Sequence, residues 1–346
     1  MKTECLNSFS ESFIEQWDAF LAVHAQGSVM QSHFAFRLFA ATKNFAPVFL
    51  RCTDSSGRLL GVLLGVVIRE SGGLLGKLSA RTVVYGGPVI VDDSPERNTV
   101  FRQLCQALIS EVRHQSLFIQ FRASYDMSEF NSEFDRLHFE RTPRMNLLVD
   151  TSSLALVKQG ISASRWRQIK QSLRKGAEII EPQDLEQVRD FYNILYQLYR
   201  YKVKKPLPDF SFFEAFWQLS KVEGYGKIFL IRYQNQIIGG IMSPCSSGKT
   251  VYEWYVCGMD AEYKMLGIYP SVLATWAAIE FAISSGCPQF DFMGVGKPDV
   301  PYGVRDFKMR FGGETVNYGR YVRINNRFLY SIAELGFNLL SLFKKI

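Results

Sequence analysis

The sequence predicts an α/β (α+β) protein of two domains that repeat one unit around mixed central sheets. Three observations carry this. The 346-residue chain is long enough for two domains of common size. Its composition, 47% hydrophobic and 14% aromatic, supplies full cores and excludes a disordered chain. The order hairpin, strand, helix, strand occurs twice: Phe49-Leu50-Arg51 and Leu59-Leu60-Gly61 in the first half correspond to Phe229-Leu230-Ile231-Arg232 and Ile237-Ile238-Gly239 in the second.

In chain order, 12–24 and 31–42 read as helices, the first with Phe13, Trp17, Phe20 and Leu21 on one stripe. Pro47–Cys52 and Arg58–Ile68 flank Asp54-Ser55-Ser56-Gly57, a hairpin signature. Short strands at Thr82–Tyr85 and Val89–Val91 precede a helix that Ser94-Pro95 starts, and Leu117–Phe121 is the strand after it. Arg141–Val149 reads as the last strand of the first domain, so the boundary falls near 150. In the second half Lys227–Tyr233 and Gln236–Ser243 form a hairpin and Thr250–Cys257 a third strand. A helix from Pro270 to Ser285 ends at Gly286, and Gln289–Met293 is a strand. Thr315–Arg323 alternates like a strand, which closes the second domain at 325. Within 326–346, Phe328–Phe343 is an apolar helix too short to span a bilayer. It reads as packing back on the protein, with an interfacial helix on anionic headgroups as the alternative.

Forty Lys and Arg against 33 Asp and Glu give +7, which suits a phosphate-bearing partner or an anionic membrane surface without choosing between them. The six cysteines are scattered without a C-x-x-C pair, a pattern of reduced thiols rather than a disulfide or zinc framework. No signal-peptide pattern and no spanning apolar run occur, so the expected location is cytoplasmic, with peripheral contact at the inner membrane leaflet as an option. H-E-x-x-H, G-x-S-x-G and Walker motifs are missing, and no metal or cofactor is expected. All four histidines (24, 33, 114, 138) fall in the first half, so the second domain has no histidine base of its own.

Gly286 to Glu314 concentrates the chemistry. A strand carrying Asp291 runs into a loop with Gly294, Gly296, Pro298, Pro301 and Gly303, and then into a short helix, Val304–Phe311, bearing Arg305, Lys308 and Arg310. Flexible backbone followed by cations suits an anionic ligand, although a solvated surface loop would look the same. The helix Ser164–Lys175 places Trp166, Ile169 and Leu173 on one side and Arg167, Lys170 and Arg174 on the next. With Arg165 and Lys175 it holds five cations and no acid, a face suited to phosphate or nucleic acid. Arg200, Lys202, Lys204 and Lys205 close the following helix, where compensation of the helix dipole is the simpler account.

Phe290-Asp291-Phe292-Met293-Gly294, Tyr302-Gly303, Phe307-Lys308 and Phe311-Gly312-Gly313-Glu314 resemble the "YDF-x-G … FK-x-x-F-G-G" run that ends the Fem-type (FemABX) aminoacyltransferases. Trp276, Ile279, Ala282 and Gly286 look like the family's preceding helix. Arg174-Lys175-Gly176 is similar to its "R-K-x-x-K-x-G" segment and Gln31-Ser32 to its Gln-Ser pair. The likeness covers most of 160–320 and weakens before 150.

The resemblance implies two tandem GNAT-like acyltransferase domains, 1–150 and 151–325, and transfer of an aminoacyl group from aminoacyl-tRNA to an amine of a peptidoglycan or other cell-envelope precursor. It assigns Lys308 to an anion near the reacting centre and Phe307 to the wall of the site. Arg200 loosely matches the arginine for precursor phosphates. Arg305, Asp291, Gly294 and Gly296 line the same stretch, Tyr255 is a candidate donor to a substrate oxygen, and Asp291 and Glu253 are the nearest candidate bases. GNAT folds that bind acyl-CoA use a Q/R-x-x-G-x-G/A turn; Lys264–Tyr269 has a tyrosine at the second small position, which disfavours CoA. Two departures stand out. His33-Phe34-Ala35-Phe36-Arg37 replaces the family's Trp and Lys after Gln-Ser, and no coiled-coil arm fits after Lys175. A different acyl donor, or a non-catalytic module binding anionic glycan or membrane, are the alternative readings.

Overall fold

Lys2–Leu6 (β1), Phe45–Thr53 (β2) and Leu59–Ile68 (β3) form an antiparallel ladder in the computed structural model of the chain. The structure describes residues 1–70, 76, 79–92 and 94–331. The β2–β3 turn holds because Asp54 Oδ1 accepts from the Ser56 and Arg58 N–H groups while Gly57 takes φ 87°, a value that favours glycine. Arg81–Gly86 (β4) lies antiparallel to β3, and Val89–Ile90 (β5) caps its other end. The helix Arg97–Val112 then buries Val100, Phe101, Leu104, Leu108 and Val112 and returns the chain to Phe118–Ala123 (β6), parallel to β4. Glu140–Thr142 (β7) ends this stretch.

The second unit opens with Asn146–Asp150 (β8) and Glu178–Ile180 (β9). Gly226–Tyr233 (β10) and Gln236–Ser246 (β11) join through Gln234 and Asn235, both at positive φ, as a two-residue hairpin turn requires. Thr250–Tyr252 (β12) and Tyr255–Gly258 (β13) both pair with β11. The helix Pro270–Ser284 leads to Gln289–Gly294 (β14), parallel to β12, and Glu314–Val316 (β15) pairs with β8. Arg320–Ile324 (β16) belongs to the first unit again, between β6 and β7.

The sheets run β1-β2-β3-β4-β6-β16-β7 and β15-β8-β14-β12-β11-β10-β9. Within them β2-β3-β4-β6 and β10-β11-β12-β14 follow one topology, so the protein is a mixed α/β chain with two tandem GNAT-like units, each with its own apolar core.

Four expectations are corrected. The units are Met1–Pro143 with Tyr318–Ile346, and Arg144–Asn317, so β8 falls in the second unit and the first unit is discontinuous. The stretch 141–149 is two strands in different sheets, β7 and β8, because Pro143 has no N–H to continue a ladder. The stretch 315–323 divides likewise into β15 and β16, with Gly319 at φ 78° between them. The single strand expected over 250–257 breaks at Glu253-Trp254. At the chain's end, 327–331 begin a helix capped by Asn326 Oδ1; the rest of the expected 326–346 helix lies outside the described residues.

Gln31 of the Gln-Ser pair is fully buried. Its amide donates to the Leu64 and Tyr85 carbonyls and accepts from the Leu64 N–H, while Ser32 caps the helix His33–Ala41. That satisfies the pair structurally within the first unit.

Candidate active site

The parallel pairing of β12 and β14 stops at Tyr252 and Asp291. Beyond it β13 stays with β11, whereas β14 turns away: Met293 takes φ 56° and the β14–β8 register shifts between Asp291 and Gly294. Parting strands leave a gap that side chains or a ligand must fill. Here Glu253, Asp291, Asn146 and Lys308, all buried, gather at the fork.

Lys308 reaches it from the short helix Gly303–Met309. Its Nζ lies 2.8 Å from Glu253 Oε1 and donates to the Phe292 carbonyl at 2.7 Å. Glu253 Oε2 is buried with no hydrogen-bond partner among the described residues. Asp291 accepts from the Met293 N–H at 2.6 Å and from Asn146 Nδ2 at 3.1 Å. Burial nevertheless pushes its carboxyl up to about 6; the donors from Met293 and Asn146 and the Lys308 charge oppose the rise, and the Glu253 charge adds to it. A buried ammonium with one paired carboxylate and one raised carboxyl is an arrangement built to handle a proton or a developing charge.

The adjoining loop is held by Arg305, whose guanidinium donates to Val295 O at 3.0 Å, to Pro298 O at 2.9 Å and to Lys297 O. Arg305 therefore shapes the loop instead of joining Lys308 as a second open cation. Gly296, at φ 92°, is where the loop needs glycine, and a Cβ there would come within 3.0 Å of the Tyr302 ring. Gly294 is exposed at the end of β14.

Beside the fork lies a pocket of about 410 Å³ lined by Arg165, Asp260, Tyr269, Ser271, Phe307 and Arg310 among others. Arg165 is only 4% exposed, which corrects its assignment to the basic helix face. Its Nη1 donates to Gln168 Oε1 at 2.8 Å and its Nη2 to Phe307 O at 3.1 Å, and its guanidinium lies 4.3 Å from the Phe307 ring centroid. Its Nε is buried without a partner among the described residues. Burial, and then the neighbouring Arg310 charge, lower its pKa to about 10 against the opposing pull of Asp260.

Asp260 accepts hydrogen bonds from the side chain and backbone of Ser271, and burial raises its carboxyl despite them. The Tyr269 N–H is taken by Ser172 Oγ at 2.9 Å. Around the N-terminus of the helix Pro270–Ser284, these donors are thus spent on protein groups and a carboxylate faces the pocket. A CoA diphosphate would find those two N–H groups already engaged there.

The structure brings together Asp291, Lys308 and Glu253, and sets Phe307 and Arg310 in the adjoining pocket. It leaves the remaining predicted site residues outside this group. Tyr255 is half-buried in an aromatic cluster, 5.2 Å from Phe213 and 6.1 Å from Tyr199 between ring centroids. Arg200 is exposed on the π-helical turn Tyr199–Val203. Arg167, Lys170 and Arg174 are exposed along the helix Ala163–Arg174, and Leu173, expected on its apolar side, is 42% exposed. Sequence reasoning passed over Asn146, Asp260 and the burial of Arg165. For Arg165 a signal existed: with Ile169 and Ser172 it falls at i, i+4, i+7, the buried face of that helix.

Residues 163–309 match the acetyltransferase (GNAT) domain family. Among solved structures, FemX aligns with a TM-score of 0.69 at 14% identity, over 95% of this chain and 99% of FemX. The fold is Fem-type. A tandem GNAT protein from the clavulanic acid biosynthesis pathway shares it with a TM-score of 0.60 at 11% identity, over 94% of this chain and 99% of that one. So does L-PGS from Bacillus licheniformis, with a TM-score of 0.55 at 13% identity, over 94% and 96%. No curated protein matches the chain in sequence. The fork between β12 and β14, with the buried Lys308, lies inside the GNAT-matching segment. Among the described residues no single helix is long and apolar enough to cross a membrane.

Proposed function

We propose that the chain is a Fem-type N-acyltransferase that moves an aminoacyl group from aminoacyl-tRNA to an amine of a peptidoglycan or other cell-envelope precursor. The observation that carries this reading is the Lys308 ammonium held by Glu253 and Phe292 O at the strand fork. An ammonium has three donors, and two are accounted for. The third is the one this reading aims at the carbonyl oxygen of the donor ester.

The acceptor amine attacks the ester carbonyl carbon, forming the C–N bond. The negative charge that builds on the carbonyl oxygen is met by Lys308. The C–O bond to the ribose then breaks, and the proton lost by the amine goes to the ribose oxygen. Because an aminoacyl ester is already activated, positioning and oxyanion stabilisation suffice. Glu253 Oε2, buried and unpartnered among the described residues, is the nearest acceptor for a proton in transit. At the start of the helix Pro270–Ser284 the Tyr269 and Ser271 N–H groups are engaged by Ser172 and Asp260, which leaves a CoA diphosphate fewer donors, and the Asp260 carboxyl suits the α-ammonium of an aminoacyl group. The exposed cations Arg167, Lys170 and Arg174 suit the phosphates of the tRNA end.

The test is mass spectrometry of cell-envelope precursors and muropeptides from cells with and without this chain. An aminoacyl increment on an amine that disappears with the chain supports the reading. Identical profiles, with glycan affinity but no transfer, would replace it with a binding module.

A further inference from the structure

Cys245, at the end of β11, and Cys287, just before β14, bring their sulfur atoms to 3.5 Å. Among the described residues no other two cysteines share such a contact. Both thiols line a pocket of about 420 Å³ together with Trp217, Lys221, Lys227 and Phe281. This pocket includes Ser285, at the opposite end of the helix Pro270–Ser284 from the candidate active site, about 20 Å away by helix rise.

The environments of the two sulfurs differ. The two thiols share a contact at 3.5 Å and the Cys287 S–H also reaches the Ser246 carbonyl at 3.7 Å, while the contact with Cys245 holds the Cys287 thiol below its ordinary value against the effect of burial. Cys245 is pushed up by its bond to Cys287 and by burial. The thiol whose value is lowered is the better nucleophile, and the second sulfur stands within reach of the first.

We infer that Cys287 and Cys245 are a thiol pair that small hydroperoxides oxidise to an intramolecular disulfide, reached through this pocket. The Cys287 thiolate attacks the peroxide oxygen, breaking the O–O bond and releasing hydroxide or alkoxide, and becomes a sulfenic acid. The Cys245 thiol then attacks that sulfur, water leaves, and the S–S bond forms. Two electrons pass from the two thiols to one hydroperoxide. Closing from 3.5 Å to a bond of about 2.0 Å asks for a movement of about 1.5 Å, within the reach of side-chain rotation and small backbone shifts. The bond would tie the end of β11 to the turn that follows the helix Pro270–Ser284.

The experiment uses the full chain, hydrogen peroxide as the oxidant, and alkylation of remaining thiols before intact-mass and non-reducing peptide analysis. The expected result is two fewer alkylated thiols, a single Cys245–Cys287 linkage, and full reversal by dithiothreitol. In Cys245→Ser the reaction should stop at a sulfenic acid on Cys287 that dimedone captures; in Cys287→Ser neither linkage nor a dimedone adduct on Cys245 should form. Wild-type protein whose two thiols stay fully alkylatable, or whose linkages are distributed over other cysteines, overturns the inference. So does equal dimedone labelling of Cys245 and Cys287 in the two variants.

Discussion

Lys308 faces two demands, and they can be separated. Its ammonium neutralises Glu253 in a buried site, so Lys308→Met should lose about 3–5 kcal/mol of stability by leaving that carboxylate unpaired. Adding Glu253→Gln should restore most of the loss in urea melts. If the ammonium also meets the oxyanion, the stable double variant should still be slower in single-turnover transfer by about two to three orders of magnitude. A double variant with near wild-type turnover would reduce Lys308 to a structural pair. Asp291 gives a second test. Its folded pKa is raised, so the folded state binds the extra proton and loses stability as pH rises from its ordinary value near 3.8 to about 6. Relative to Asp291→Asn, wild type should lose about 3 kcal/mol across that window and run parallel above pH 7. A difference independent of pH would mean that the carboxyl titrates normally. The Phe-Lys pair made Lys308 visible in the sequence. Its burial was not visible, because Glu253 and Asn146 lie far from it in the chain and no local spacing announces them.

At the scale of elements, the glycines after the helix Gly303–Met309 fix how it meets its sheet. A Cβ on Gly313 would lie 2.3 Å from the Leu148 carbonyl oxygen, and φ there is 94°. Gly286 has a similar backbone, φ 67°, but open space around it. Gly286→Ala should therefore cost about 1–2 kcal/mol from backbone strain alone, and Gly313→Ala about 3 kcal/mol or more. Thermal melts of the two variants compare them directly; equal losses would mean that the Gly313 contact relaxes freely. The hairpins and the helix Pro270–Ser284 were legible because turn residues, a first-turn proline and Gly286 mark their ends. The break between β12 and β13 was not, since an apolar-aromatic run continues through Glu253-Trp254. Pro143 and Gly319 were visible breakers, but alternation resumes beyond each, and periodicity does not say which sheet a strand will join.

For the whole molecule, the repeated order of elements was readable and the partition of the chain was not. The segment 144–317 contains every strand of one sheet, together with the core of Ile238, Ile241, Leu273, Ile279, Phe290 and Phe292. Expressed alone, it should fold cooperatively, with a sigmoidal melt and native-like circular dichroism; the discontinuous first unit should not do so if 318–346 is removed, because β16 lies between β6 and β7. A gradual melt of 144–317 would show that its sheet needs the remainder of the chain. The identity of the acyl donor decides the function. The most direct measurement is single-turnover transfer with labelled aminoacyl-tRNA or labelled acetyl-CoA and a nucleotide-linked muropeptide acceptor, scoring label in a base-stable amide. Transfer is expected from aminoacyl-tRNA and not from acetyl-CoA, because the Tyr269 and Ser271 N–H groups that would hold its diphosphate are engaged by Ser172 and Asp260. Acetyl transfer from CoA without aminoacyl transfer would contradict this expectation.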